Sequence, residues 1–364
     1  MSNFELRIDE RDTMFARMAR TPGTPEYAEY YGRHPERQAT DDHLRALPPL
    51  CEPGGRCYEA AACGEAAALF RAIETIHIDR VLVDQWAAKL RQAVDGRGGG
   101  DTATLTLALK EMARQMGALA AGCAQVTPAV AYTHKGRFSS DYGEMVPLDC
   151  PSALVFLVEM DIDEMRRAPG APAIRESARQ YLRASRIAKT VADALRASGF
   201  RARPHYDAHY DVMLPPLAVA AGLGELGRNN ILVADRAGAR VRIGAVTTDA
   251  LLEPGQPVSL GVRAFCEVCR KCADNCPSRA LEAGAAEMVR GVRKWPTDAE
   301  RCYGYWRVTG TDCGICMAVC PFSHRDTWFH ALVRQMVRAV PASHRAARFF
   351  DDLVYGHTWG RWGR

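Results

Sequence analysis

A chain of 364 residues, 48% of them apolar, can bury a large core in one or two domains, which excludes disordered and fibrous classes. Its 47 Lys and Arg against 43 Asp and Glu leave a formal charge of +4 with no concentrated basic block, so no nucleic-acid partner is expected. Thirteen cysteines behind an N-terminus with no secretory apolar stretch point to a reducing, cytoplasmic setting, and to metal or cluster ligation rather than disulfides.

In chain order, residues 1–20 are charged throughout. The longest apolar runs, 153–158 and 214–223, fall short of the roughly 20 residues that cross a bilayer, so no membrane partner is expected. Helical periodicity marks 65–76, 104–121 and 174–198, and strand-like runs occur at 153–159, 231–234 and 241–247. The alternation suggests an α/β layer structure. Within the third helix Tyr181, Ala184, Ala188, Val191, Ala192 and Leu195 recur at helical spacing and place the phenol on the buried face. A core tyrosine with a satisfied hydroxyl is the plain alternative to a reactive one. With an ordinary phenol pKa near 10, useful proton donation needs a neighbouring cation. His205, Tyr206, His209 and Tyr210 are rival donors, the histidines titrating nearer neutrality.

Gly222, Gly224 and Gly227 spell G-x-G-x-x-G, yet the run neither follows a strand nor opens a helix as a dinucleotide fingerprint must. We expect these glycines instead to let backbone approach a bulky flat ligand.

Eight cysteines fall between 266 and 320. Cys266, Cys269, Cys272 and Cys276-Pro277 form the C-x2-C-x2-C-x3-C-P run of bacterial ferredoxins, in which three thiolates curl round one [4Fe–4S] cluster while the fourth serves its neighbour. Cys302, Cys313, Cys316 and Cys320-Pro321 complete the second set. Cys266, Cys269, Cys272 and Cys320 therefore hold one cluster, and Cys276, Cys302, Cys313 and Cys316 the other. A pair of zinc sites would not explain two triplets each followed by a crossing Cys-Pro. The ten residues between Cys302 and Cys313 exceed compact ferredoxin spacing and should alter the surroundings of one cluster. Cys51, Cys57, Cys63, Cys123 and Cys150 fit no ligand spacing and read as small hydrophobes.

The chain resembles the reductive dehalogenase family, in its cytoplasmic, catabolic branch. The likeness rests on Glu10-Arg-Asp-Thr-Met-Phe-Ala-Arg17, Pro22 to Tyr31, Ala221 to Arg228, Arg240-Val-Arg242 leading to Thr248-Asp249, both cysteine sets and Phe350 to Gly356. The resemblance implies an α+β fold: a nitroreductase-like core holding base-off cobalamin, with an appended ferredoxin-like two-cluster module that reduces the cobalt. It implies an N-terminal extension and cobalamin core over 1–255, the cluster module over 256–325 and a tail packing back over 326–364. By the same resemblance Gly222, Gly224, Glu225, Gly227 and Arg228 contact the cofactor, Tyr181 donates the proton and Arg240 is the cation beside it. Asp207 stands where respiratory members carry an asparagine near the substrate. Asp207-Ala-His209 opens the D-x-H-x-x-G pattern of base-off, His-on cobalamin sites, but Val212 replaces its glycine, so no local histidine is expected on cobalt.

The implied activity is reductive dehalogenation of a small organohalide, with electrons from a separate ferredoxin or flavodoxin because no flavin and plant-type ferredoxin domain follows. The alternatives are a cobalamin-dependent reductase of a non-halogenated substrate, as in the related epoxyqueuosine reductases, and a non-catalytic electron carrier or corrinoid reactivator.

Overall fold

The computed structural model describes residues 7–95, 102–289 and 292–359. The strands are β1 (Ala120–Gln125), β2 (Ser152–Glu159), β3 (Ala202–His205), β4 (Glu225–Leu226), β5 (Leu232–Val233), β6 (Val241–Thr248), β7 (Glu287–Val289) and β8 (Val292–Lys294). Four of them form an antiparallel sheet ordered β1-β2-β6-β3, and β4-β5 and β7-β8 are two-stranded ribbons.

β2 is central, and its residues from Ser152 to Val158 are all buried. Leu154, Phe156 and Val158 pack on the helical layer, whereas Ala153, Val155 and Leu157 pack with Leu217 and Ala218 of the short helix Leu214–Ala220. A strand covered on both faces needs no polar alternation, which is why 153–158 reads as one apolar run.

The long helix Ala171–Ala197 crosses the first face and packs against helices Ala60–Glu74 and Arg80–Asp95. It starts with Pro172 in the first turn and stops at Gly199, whose φ of +93° is the left-handed exit common after helices. The helical periodicity at 104–121 overshoots. The helix Thr102–Gln115 ends before Gly117 (φ +94°), and the chain turns into β1. Among the described residues no helix is long and apolar enough to cross a membrane.

The cysteine-rich region packs directly on this core. Met160, Met165 and Ala168 share a cluster with Phe265, Ile315, Met317 and Phe322. An N-terminal strap crosses to the same region: Cys51 and Cys57 donate backbone N–H bonds to Gly310 and Thr309, and Arg17 pairs with Asp41 and Glu300. The helices Trp328–Ala339 and His344–Tyr355 close the outside, where Arg348 donates to the Cys269 carbonyl at 2.8 Å.

Candidate active site and cluster module

The eight clustered cysteines of the sequence also lie near one another in the fold. Burial first, then the thiols of Cys266, Cys269 and Cys272, push the Cys320 thiol well above its ordinary range. Burial and then Cys313, Cys302 and Cys276 do the same to Cys316. Cys272 is also raised by Cys316, so the two sets adjoin. The thiols of the first set border a small void of about 20 Å³ together with Gly227, Arg228 and Phe265. Among the described residues no three His, Cys, Asp or Glu side chains converge as a single ion requires. Of the five remaining cysteines, Cys63, Cys123 and Cys150 are buried and Cys51 and Cys57 half-buried.

Beside the module lies a cavity of about 850 Å³. Ile8, Phe15 and Met18 of the N-terminal strap, Tyr181 of the long helix, Asp207 and Tyr210, the β4-β5 ribbon and β6 all line it. Its remaining wall is unexpected. Most of the residues between Cys302 and Cys313 belong to the helix Ala299–Thr309, which also carries Cys302 and presents Tyr303 and Trp306 to the cavity. Asp298 caps that helix by accepting from Arg301 N at 2.9 Å, and Gly310 ends it at φ +76°. The insertion thus makes the cluster module part of the cavity wall.

Tyr181 stands where the helix's buried face opens into the cavity, partly buried against the core, 6.3 Å from the Phe70 ring. The cation on it is Arg242, whose guanidinium lies 4.7 Å from the ring centroid. This corrects the assignment to Arg240. Arg240 precedes β6, is buried at 3% exposure, and donates to Ser323 O at 2.8 Å and Met160 O at 2.5 Å while pairing with Glu159 at 3.1 Å. It does not border the cavity, whereas Arg242 does. Burial raises the Tyr181 pKa above its ordinary value, Arg242 pulls it down, and Asp207 pushes it up.

Asp207 lies in the Tyr206–His209 turn and lines the cavity. Desolvation lifts its carboxyl above the usual range against the charges of Arg137 and Arg242. Arg137, which no sequence signal singled out, donates to the Tyr210 hydroxyl at 2.9 Å and lies 4.9 Å from the Phe15 ring centroid. Of the rival donors only Tyr210 reaches the cavity. His205 Nδ1 accepts from Asp211 N at 3.2 Å, so Nε2 carries the proton toward Thr247 at 2.8 Å, and burial pushes its pKa down to about 3. Tyr206 is buried under Lys189, and His209 stacks on Phe138 and meets Glu74 at 3.0 Å.

The glycine-rich segment does not serve as expected. A Cβ on Gly222 would meet Gln256 O at 2.5 Å, and one on Gly224 would meet Val233 O at 2.4 Å, so both glycines admit neighbouring backbone rather than a ligand. Glu225 accepts from Leu260 N at 2.7 Å and Val262 N at 3.0 Å, tying β4 to the start of the helix Val262–Cys269. Arg228, 2% exposed, donates to the carbonyls of Cys266, Glu282 and Gly284. Gly227 and Arg228 therefore border the first cysteine set, and none of the five lines the cavity. The ribbon reaches the cavity through Leu226, Asn230, Ile231 and Leu232.

Residues 265–324 match the family model of the 4Fe-4S dicluster domain. A tetrachloroethene reductive dehalogenase of Desulfitobacterium hafniense is 35% identical over 228 residues, 59% of this chain and 41% of the relative. Over that span the chain is similar to reductive dehalogenases. It spans about two fifths of the length of that curated relative. A solved reductive dehalogenase whose structure suggests a mechanism for B12-dependent dehalogenation superposes with a TM-score of 0.70 at 25% identity, over 96% of this chain and 46% of the other. An epoxyqueuosine reductase of Lactococcus garvieae is 30% identical over 122 residues, 29% of this chain and 31% of the relative.

Proposed function

We propose that the chain is a corrinoid-dependent iron–sulfur reductase that removes a halogen from a small organohalide: R–X + 2e⁻ + H⁺ → R–H + X⁻. The observation that carries this reading is the Tyr181–Arg242 pair at the wall of an 850 Å³ cavity whose facing helix bears Cys302. The division follows the chain: a nitroreductase-like core over 1–255, the cluster module over 256–325 and the closing segment over 326–364.

The cavity's chemistry suits a large flat cofactor bearing amide arms. Leu226, Ile231, Leu232, Val241 and Ile243 supply an apolar shelf, and Asn230 Oδ1 is a buried acceptor without a partner. Asn230 is itself fixed, because its Nδ2 donates to Trp295 O and Thr297 Oγ1, both at 2.7 Å. Among the described residues no histidine lines the cavity. When bound, cobalamin supplies the strongly reducing cobalt that breaks the carbon–halogen bond, and the clusters supply electrons singly.

The chain's own residues bind, exclude water and move a proton. Tyr181 keeps its hydroxyl proton through neutral pH because burial holds its pKa high, and Arg242 stabilises the phenolate left after donation. Arg137, Tyr210 and Asp207 orient the polar end of the substrate. Phe15, Tyr303 and Trp306 cover the reacting region with aromatic surface. Electrons come from a ferredoxin- or flavodoxin-type donor in a reducing cytoplasm.

The test is anaerobic reconstitution followed by iron and cobalt analysis and a halide-release assay on halogenated aromatics with a chemical reductant. About eight irons, one cobalt and released halide are expected. Stoichiometric zinc without iron, or tight NAD binding without cobalamin, overturns the reading. A reductase of a non-halogenated substrate, such as an epoxide or modified nucleoside, is the second reading. Asp207 favours it, since its carboxyl shares the cavity with Tyr181 and offers a second group for proton relay. Turnover of such a substrate without halide release would select it.

A further inference from the structure

Arg242 is not held by Tyr181. Its Nη2 donates to Ser177 Oγ at 2.6 Å and to Asp312 Oδ2 at 3.1 Å, and Ser177 Oγ in turn donates to the same Asp312 oxygen. Ser177 lies one turn before Tyr181 on the long helix, so helix, strand β6 and the Asp312 loop meet at one guanidinium. Arg242 Nε and Asp312 Oδ1 are buried without partners and Nη1 meets only the Met317 sulfur at 3.8 Å, so the ion pair and the hydroxyl bridge are the strong polar contacts on the guanidinium. Asp312 immediately precedes Cys313 in sequence.

We propose that Asp312, bridged by Ser177, is the positioning residue that locks the Arg242 guanidinium over the Tyr181 ring, so that the loop bearing a cluster-ligand cysteine sets the geometry of the proton donor. Asp312 touches no reacting group. It acts through Arg242, and the inference rests on the role given to Tyr181 above. Its sign can be tested, because two effects oppose each other. As a bare negative charge near the phenol, Asp312 raises the Tyr181 pKa, as Asp207 and Tyr210 also do. As the anchor of Arg242, it holds in place the cation that lowers it most. Losing the charge alone makes the phenol more acidic, and losing the anchor makes it less acidic.

The experiment uses the reconstituted holoenzyme with a trifluorinated tyrosine at position 181, whose acidic phenol titrates within a measurable pH range. Asp312→Asn, Ser177→Ala and Arg242→Met are compared with wild type by absorbance titration, beside iron content and kcat. Ser177→Ala is included because it lies far in sequence from any ligand cysteine, should Asp312→Asn cost iron. We expect both anchor variants to shift the phenol upward by about one unit and to lower kcat about tenfold at unchanged KM, in the direction of Arg242→Met. A downward shift in Asp312→Asn, or an unmoved phenol in Ser177→Ala with full iron, overturns the anchoring role. The titration is independent of turnover, so an upward shift in a protein that releases no halide supports the anchor while refuting the dehalogenase reading.

Discussion

Arg242→Met tests which arginine serves the proton donor, and the size of the effect can be worked from the structure. With 4.7 Å between guanidinium and ring centroid and an effective dielectric of about 20, the attraction between cation and phenolate is about 3.5 kcal/mol, or roughly 2.6 pKa units. The neighbouring Asp312 carboxylate offsets part of this, so the figure is an upper bound. Removing the cation raises the phenol pKa, and the proton leaves less readily. If half of the loss is felt in the transition state kcat falls about twentyfold, and if all of it is felt about 400-fold. Halide release in steady state, measured beside the rate of cobalt(II) reduction, separates proton delivery from electron supply, and the latter should not change. Arg240→Met is the internal control. It removes a buried cation bonded to two carbonyls and Glu159, so it should cost roughly 2 to 4 kcal/mol of stability while leaving kcat per folded enzyme near wild type. Wild-type kcat in Arg242→Met, with a loss in folded Arg240→Met, would refute the assignment.

Tyr181→Phe should keep iron and cobalamin, preserve cobalt reduction and lower turnover by roughly a hundredfold or more; unchanged turnover would pass the role to Tyr210 or Asp207, which share the cavity. Cys276→Ser should remove about four of the eight irons and spare the cluster of Cys266, Cys269, Cys272 and Cys320, which paramagnetic resonance of the reduced protein can resolve. His205, neutral when folded with a pKa near 3, makes the unfolded chain bind more protons below about pH 6.5, so stability falls as pH drops from there toward 3, by up to about 5 kcal/mol. In urea titrations across that window His205→Gln should lose less stability than wild type, and a parallel decline would disprove the link.

The two-cluster module was legible because cluster ligation is a local geometric demand written into residue spacing, and residues 265–324 match the dicluster model. The helix carrying Tyr181 was legible for a related reason: its apolar stripe is long, Pro172 opens it and Gly199 closes it. β1 was not, because Ala-Ala-Gly-Cys-Ala-Gln has little strand preference and pairs only through β2. Gly122 there lets the strand lie so close to Ala221 that a Cβ would meet its carbonyl at 2.3 Å. The glycines at 222–227 invited a ligand reading because close backbone approach has one signature whether the neighbour is a cofactor or another strand. Arg240 and Arg242 have the same parity along the chain, so strand periodicity alone could not choose between them; Arg240 precedes β6, beyond its paired register, and turns to Met160 and Ser323. Arg137 sits in a loop between unrelated elements, and only the fold brings it to Tyr210.

The insertion before Cys313 explains why this module cannot be regarded as a ferredoxin set beside an enzyme. In a compact ferredoxin the residues between ligands need only wrap the clusters. Here the extra length makes an eleven-residue helix whose one chain carries Cys302 toward the cluster set and Tyr303 and Trp306 toward the cavity. Its far end is fixed by close packing: a Cβ on Gly55 would meet Gly310 Cα at 2.6 Å, and the backbone N–H groups of Cys51 and Cys57 bond to Gly310 and Thr309. Two residues on, Asp312 reaches Arg242 and Ser177. A displacement of this segment would therefore disturb cluster ligation, the aromatic wall and the cation over Tyr181 together, because the same short stretch of backbone holds all three.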